Sequence, residues 1–274
     1  MGFLQIDESK CKKDGICVSE CPTAIIHLKD KNSTPAIKPG AEESCLICGH
    51  CVAVCPHGAL SHTRVPIEAC PPVEANLVLN KEQAVQFLRS RRSIRVFKDK
   101  AVEKEKIKNL IEIARYAPTG SNSQLVEWRI VTDKDKIHGL SAMAVEWMRD
   151  VVAGKTQRIS SPYMSGIIAA WEAGYDSILR TAPALVVAYS PKEANNGMVD
   201  LTLALSYLDL MAPAMGLGTC WAGLLQGALL SSPDLKQKLG LPAEYPYHYP
   251  MMLGYPKFAY HRFPERNPPK IQWD

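Results

Sequence analysis

Residues 45–56 read Cys45-Leu46-Ile47-Cys48-Gly49-His50-Cys51-Val52-Ala53-Val54-Cys55-Pro56, four cysteines at spacings x2, x2 and x3 closed by a proline. Upstream, Cys11-x5-Cys17-x3-Cys21-Pro22 repeats the scheme, with Asp14 where the second cysteine of the run would stand. Eight of the nine cysteines precede residue 71. Close-set cysteines serve either disulfides or metal. The start, Met1-Gly2-Phe3-Leu4-Gln5-Ile6-Asp7, lacks the basic and apolar regions of a secretory leader. Reduced thiols spaced for metal are therefore the reading.

Thiolate is a soft ligand that suits iron–sulfur cubes, and tight spacing lets one loop wrap three corners of a cube. Structural zinc takes four ligands in two pairs, which seven cysteines in two proline-closed runs do not offer. The second run is the bacterial iron–sulfur pattern in full. Cys21-Pro22-Thr23-Ala24-Ile25-Ile26 and Cys55-Pro56-His57-Gly58-Ala59-Leu60 are matching segments, so two similar halves are expected around a pseudo-twofold axis. His27, His50, His57 and His62 lie near the runs and are read as hydrogen-bonding or solvated groups rather than ligands.

On these motifs residues 1–62 resemble bacterial two-cluster ferredoxins. The resemblance implies crossed ligation. Cys45, Cys48, Cys51 and Cys21 would hold one [4Fe-4S] cluster. Cys11, Cys17 and Cys55 would hold the other, with Asp14 at its fourth corner. A carboxylate is harder than a thiolate and holds iron more weakly. The second cluster is thus either a four-iron cube with an oxygen-ligated corner or a three-iron form. A segment of about 60 residues buries little apolar area, so metal ligation must supply part of its folding energy.

Apolar residues at 46%, charged residues at 22% and a mean hydropathy of -0.11 describe an ordinary globular chain. No apolar run of transmembrane length is read from the sequence, and the expectation is a cytoplasmic protein without membrane partners. The formal net charge of +4 overstates the basicity, because cluster ligands are thiolates. Nucleic-acid binding has no support from this balance.

Residues 63–80 carry three prolines and no helical period and read as an extended linker. A second domain is predicted over 81–274. Asn80 can cap a helix that begins at Lys81. Ile107, Leu110, Ile111 and Ala114 keep helical spacing and stop before Pro118. Trp128–Thr132, Ala184–Tyr189 and Met251–Leu253 read as strands. Residues 198–215 are apolar on nearly every face and predict a fully buried helix. Helices alternating with strands favour an α+β or α/β layer fold. Cys70 and Cys220 fall outside the ligand pattern and read as small packed residues.

Arg91-Arg92-Ser93-Ile94-Arg95-Val96-Phe97 concentrates three guanidinium groups and a hydroxyl, a site for an anion such as phosphate. It is followed by Ala117-Pro118-Thr119-Gly120-Ser121-Asn122-Ser123-Gln124, then Gly216-Leu217-Gly218-Thr219-Cys220-Trp221-Ala222-Gly223, then Leu253-Gly254-Tyr255-Pro256 ahead of Arg262 and Arg266. In this order and spacing the segments resemble the nitroreductase family of FMN-dependent oxidoreductases. The resemblance implies an α+β FMN domain with a central sheet and flanking helices. Arg91, Arg92, Ser93 and Arg95 would contact the FMN phosphate and ribityl chain. Arg266, assisted by Arg262, would reach the phosphate. Pro118, Thr119, Gly120 and Asn122 would form a loop that reaches the flavin of the other subunit of a homodimer. Trp221, Ala222 and Gly223 would place backbone beside the reactive ring nitrogen N5, where a glycine permits close approach.

The chain departs from the family's pattern at two points. Leu125-Val126 stands where Pro-Trp is common, and Gly223 stands where the bacterial branch carries an acid. Residues 141–180, with Trp147, Tyr163, Met164, Trp171 and Tyr175, read as core or as an excursion covering the substrate. No side-chain acid or base is required. The resulting expectation is an enzyme with its own electron supply: an external ferredoxin or flavoprotein feeds two iron–sulfur clusters, and FMN passes electrons to an electron-poor small molecule, nitroaromatic or quinone-like. The second reading is a redox-sensing or electron-transfer module that serves a protein partner.

Overall fold

The two cysteine loops take the same backbone shape. Lys13 and Gly15 in the first have positive φ (59° and 74°), as do Ile47 and Gly49 in the second (54° and 71°). One turn later Ala24 and Gly58 match in the same way (52° and 57°). A left-handed residue reverses the chain tightly, and doing so twice in three residues points successive side chains to one side of the loop. Asp14 and Cys48 therefore occupy equivalent places.

These features come from a computed structural model that describes residues 2–156 and 161–274. The chain divides into two compact units, Met1–Val78 with Ser121–Ser123, and Leu79–Gly120 with Gln124–Asp274.

In the first unit, strand β1 (Leu4–Ile6), helix α1 (Ile16–Glu20), strands β2 (Ile26–His27) and β3 (Ala36–Ile37), helix α2 (His50–Ala53) and strand β4 (Leu60–His62) follow in order. β1 pairs antiparallel with β4, and β2 with β3. The apolar cluster is small: Cys17, Val52 and Leu60 are buried, with Leu4, Ile6, Val18, Ile67 and Cys70 packed against them. The stretch read as a linker carries two short 3-10 turns, Ile67–Ala69 and Ala75–Leu77. Its beginning belongs to this small core, while Val73, Leu77 and Val78 are exposed.

The second unit opens with helix α3 (Lys81–Ser90), and Asn80 caps it as expected. Asn80 Oδ1 accepts the Gln83 N–H at 2.9 Å, and Gln83 Oε1 accepts the Asn80 N–H at 3.0 Å, a reciprocal capping box. Then come α4 (Lys104–Ala114), β5 (Glu127–Val131), α5 (Lys134–Val152), α6 (Pro162–Glu172), β6 (Ala184–Ser190), α7 (Gly197–Met211), β7 (Gly218–Trp221), α8 (Gly223–Leu229), α9 (Pro233–Leu239) and β8 (Tyr247–Gly254). The four strands form one antiparallel sheet in the order β5-β6-β8-β7, which makes the fold α+β.

β6 is apolar on both faces because both faces are covered. Leu185 and Val187 pack with residues of α5, α8 and α9. Ala184, Val186 and Ala188 alternate to the other side, against α4 and α7. Met252 and its neighbours Met251 and Leu253 split between the same two layers in β8. β8 begins four residues before the predicted Met251. Pro250 hides it, since a proline inside a run argues against a central strand.

Helix α7 corrects two expectations. The stretch Gly197–Met215 is, by length and composition, apolar enough to cross a membrane. It packs instead on β6, β8 and α4, with Asp200 and Asp209 buried in it. Nor is it buried all round, since Val199 and Tyr207 face outward.

In the region 141–180, which includes residues 157–160 outside the described set, Trp147 and Met164 are core residues. Trp171 stacks on His138 with centroids 4.8 Å apart, and Tyr163 and Tyr175 are exposed.

Candidate functional site

The first unit holds two recesses. Cys11, Asp14, Cys17 and Cys55 line one, with Lys12, Lys13 and His57 beside them. Cys21, Cys45, Cys48 and Cys51 line the other, walled by Ile25, Ile26, Leu46 and Ile47. Each recess takes three ligands from one loop region and one from the other, the crossed arrangement expected for paired clusters. Among the described residues no three His, Cys, Asp or Glu side chains converge closely enough to hold a single ion.

The surroundings of the sulfurs follow from local sequence. Ala59 N–H points at Cys55 Sγ at 3.4 Å, and Thr23 Oγ1 lies 3.7 Å from Cys21 Sγ. His62 is buried, and desolvation first, then the Arg64 charge, hold its pKa below the ordinary imidazole value. Its Nδ1 accepts the Arg64 N–H at 3.0 Å, so the proton of the neutral ring sits on Nε2, 3.8 Å from Cys45 Sγ. Such donors to sulfur tune the potential of a cluster. Asp14 Oδ1 accepts the Ile16 N–H at 3.1 Å, while Oδ2 lies 3.4 Å from His57 Nε2. Burial, with the neighbouring Cys48 charge second, pushes the Cys51 thiol up to about 11, and burial likewise raises Cys17. Metal that binds these sulfurs must displace protons.

In the second unit the sheet edge positions the arginine segment. Ser93 bridges Thr219 of β7 in parallel, with Ile94 N–H donating to Thr219 O at 2.8 Å. Lys257 N–H donates to Val96 O, and Lys98 N–H to Tyr255 O. Arg91–Phe97 is thereby fixed against both Gly218–Trp221 and the start of the C-terminal tail. Gly218 and Gly254 are glycines because protein crowds them. A Cβ on Gly218 would lie 2.3 Å from Ile94 Cγ1, and one on Gly254 2.6 Å from Pro183 Cδ.

The arginines differ in what they touch. Arg91 Nη1 reaches Asp209 Oδ2 at 3.4 Å. Arg92 Nη1 donates to the carbonyls of Arg89 and Arg91, at 3.0 and 2.7 Å. Its Nε is buried with no hydrogen-bond partner among the described residues. Arg95 is exposed, with Nη1 3.5 Å from Ser93 O. Arg262 and Arg266 lie on the exposed tail. Among the described residues no hydrogen bond or ion pair joins them to Arg91–Arg95.

The loop after α4 is strained: Ser121, Asn122 and Gln124 all have φ between 51° and 54°, an arrangement that clusters at functional sites. Pro118 precedes it, Thr119 Oγ1 accepts the Gln124 N–H at 3.1 Å, and Asp200 Oδ1 accepts the Gly120 N–H at 2.9 Å. Asn122 groups with the first unit, where Nδ2 donates to Leu46 O and Ile47 O at 3.0 and 3.2 Å. Trp221 closes β7, and Ala222 and Gly223 lead into α8, with the Ala222 N–H bonded to Pro250 O.

Two residues of this site escaped sequence reading, Asp200 and Asp209. Thr219 Oγ1 and Trp221 Nε1 both donate to Asp209, the latter at 3.1 Å. The available signal was an acid recurring on an otherwise apolar helix, which averaging over the helix conceals.

Comparison with known proteins bears on both units. The nitroreductase family model matches residues 88–255, and a 4Fe-4S dicluster domain model matches residues 9–60. Iodotyrosine deiodinase 1 of Rattus norvegicus is 23% identical over 208 residues, covering 73% of this chain and 69% of its own length. Among solved structures, a nitroreductase with bound FMN from Bacteroides fragilis superposes with a TM-score of 0.56 at 19% identity, over 71% of this chain and 98% of that one. A nitroreductase with bound FMN from Desulfitobacterium hafniense does so with a TM-score of 0.55 at 21% identity, over 72% and 99%.

Proposed function

Because the chain belongs to the nitroreductase family and carries a 4Fe-4S dicluster domain ahead of that family's domain, we propose that it is a flavin-dependent oxidoreductase with its own electron supply. Two iron–sulfur clusters deliver electrons to FMN, for transfer to an electron-poor organic acceptor, nitroaromatic or quinone-like. The observation that carries the reading is the pair of recesses, each lined by four of the eight expected ligands, in a chain whose other domain is of a redox family. The Asp14 cluster is either a four-iron cube with a carboxylate corner or a three-iron form.

The arginine segment fits a phosphate-bearing cofactor. Arg92 has a buried Nε without a partner among the described residues, and a buried donor left unmet is costly. A phosphate at Arg91–Arg95 would meet it, with Ser93 adding a hydroxyl. Arg262 and Arg266 are free to reach an anion from the tail. Trp221, Ala222 and Gly223 supply backbone at the end of β7, and Pro118, Thr119, Gly120 and Asn122 supply the strained loop. FMN, when bound, takes electrons singly and passes them on in pairs. These residues bind and orient it, and no side-chain proton donor is assigned.

A symmetric homodimer belongs to this reading. Helix α3 buries no residue, and it exposes Val85, Phe87 and Leu88. The tail exposes Phe258, Phe263 and Trp273. A short helix gains its stability from packing an apolar face, and a second copy would supply that packing. The donor is an external ferredoxin or flavoprotein, and the protein works in the cytoplasm.

Stopped-flow reduction tests the electron path. A reduced low-potential one-electron donor should reduce the flavin faster in native protein than in cluster-stripped protein that keeps its FMN, and faster than NADH does directly. Equal rates with and without clusters reject the path.

A further inference from the structure

Helix α7 is apolar along most of its length, yet it carries a carboxylate, Asp209, only 3% exposed. A buried charge is costly unless it is paired and hydrogen-bonded, and a well-packed apolar residue would serve stability at least as well. What Asp209 holds is specific. Oδ1 accepts the Thr219 hydroxyl. Oδ2 accepts the Trp221 indole N–H at 3.1 Å and faces Arg91 Nη1 at 3.4 Å. All three partners lie in the two segments that run side by side at the sheet edge, Arg91–Phe97 and Gly218–Trp221. Trp221 is locked from its other side by an edge-on contact with Tyr249, centroids 5.1 Å apart.

We propose that Asp209 is the positioning residue of the cofactor site. One buried carboxylate sets the orientation of Trp221 and of Arg91 together, and it places a fixed negative charge behind the backbone of 221–223. The inference rests on the assignment of FMN to this site. It divides labour among the arginines. Arg91 is neutralised from within and acts as a fixed strut. Arg92, with its unpartnered Nε, and exposed Arg95 carry the anion. The carboxylate does not touch the reacting atoms, and it acts through the groups it holds.

Two substitutions separate its geometry from its charge. Asp209→Ala leaves the Trp221 and Thr219 donors unmet and frees Arg91. FMN affinity should fall about tenfold or more, the effect of one lost charge-assisted bond, with iron and sulfide content unchanged. Asp209→Asn keeps one carbonyl oxygen to accept the Trp221 indole N–H, and its amide N–H can donate to the Thr219 hydroxyl oxygen, which serves as donor or acceptor, so affinity should stay within about threefold of wild type. Without the negative charge, however, the reduced flavin is favoured and the midpoint potential of bound FMN should move positive. FMN titration by fluorescence and anaerobic redox titration read these out without any substrate. If Asp209→Ala does not fold, Asp209→Asn decides alone. A wild-type potential in Asp209→Asn, or wild-type FMN affinity in folded Asp209→Ala, overturns the inference. Wild-type protein that takes up no FMN overturns it together with the cofactor assignment.

Discussion

Cys48→Ala is expected to cost the protein one whole cluster and much of the stability of its N-terminal unit. Cys48 shares its recess with Cys21, Cys45 and Cys51, and its loop is held in shape by left-handed Ile47 and Gly49. The unit has little else to hold it: its apolar cluster centres on Cys17, Val52 and Leu60. Losing a structural metal site removes binding free energy on which the folding of such a small domain depends. Iron and sulfide per chain should fall to about half the wild-type count, and thermal melting of this unit should begin well below the wild-type transition. Asp14→Cys is the matched comparison. Asp14 stands at the equivalent place in a loop of the same shape, so a thiolate there should complete the second cube, keep the full iron count and make that cluster harder to strip with chelator. Full iron retention in Cys48→Ala would contradict the ligand assignment.

Gly218→Ala should have the largest effect in the second unit. The new methyl would stand 2.3 Å from Ile94 Cγ1 and 2.9 Å from Pro256 Cγ. Neither neighbour can easily withdraw. Ile94 is bonded through its N–H to Thr219 O, and Pro256 is bridged to Phe97. The strain is expected to cost about 1–3 kcal/mol of stability. Relief by moving the 91–97 segment would dislodge Arg91, Arg92 and Ser93 together, so FMN affinity should fall by more than about tenfold, the equivalent of a single strong contact. Gly223→Ala is the control for stability, because its Cβ would meet only Tyr249 Oη at an ordinary 3.5 Å. Melting curves and FMN titration of both variants decide it. A Gly218→Ala protein with wild-type melting and affinity would show that the sheet edge does not fix the arginine segment.

What the sequence disclosed were features whose physics is local. The cysteine spacings, the Asn80 cap and the uninterrupted apolar run of β6 each carry their structure in a few adjacent residues. The equivalence of Asp14 and Cys48 was visible as a gap in a repeat, and the matched left-handed residues at 13, 15, 47 and 49 give it a shape. The rest depends on partners distant in the chain. Asp209 is informative only beside Arg91, Thr219 and Trp221, and on its own helix it is one of two acids in a mostly apolar run. Pro250 misleads as to β8 because its sheet position, not its type, decides whether a missing N–H matters. α3 has the pattern of a helix that packs, yet within one copy it buries no residue, and the sequence names no surface for its apolar face.

The central claim is that iron–sulfur clusters and a flavin reside in one polypeptide. Anaerobically isolated protein, assayed for iron, acid-labile sulfide and FMN per chain alongside its visible spectrum, tests this most directly. The account predicts about seven or eight irons with matching sulfide, one FMN per chain, and overlapping cluster and flavin absorption. Protein that stays colourless and iron-free after careful reconstitution with iron, sulfide and FMN would contradict it.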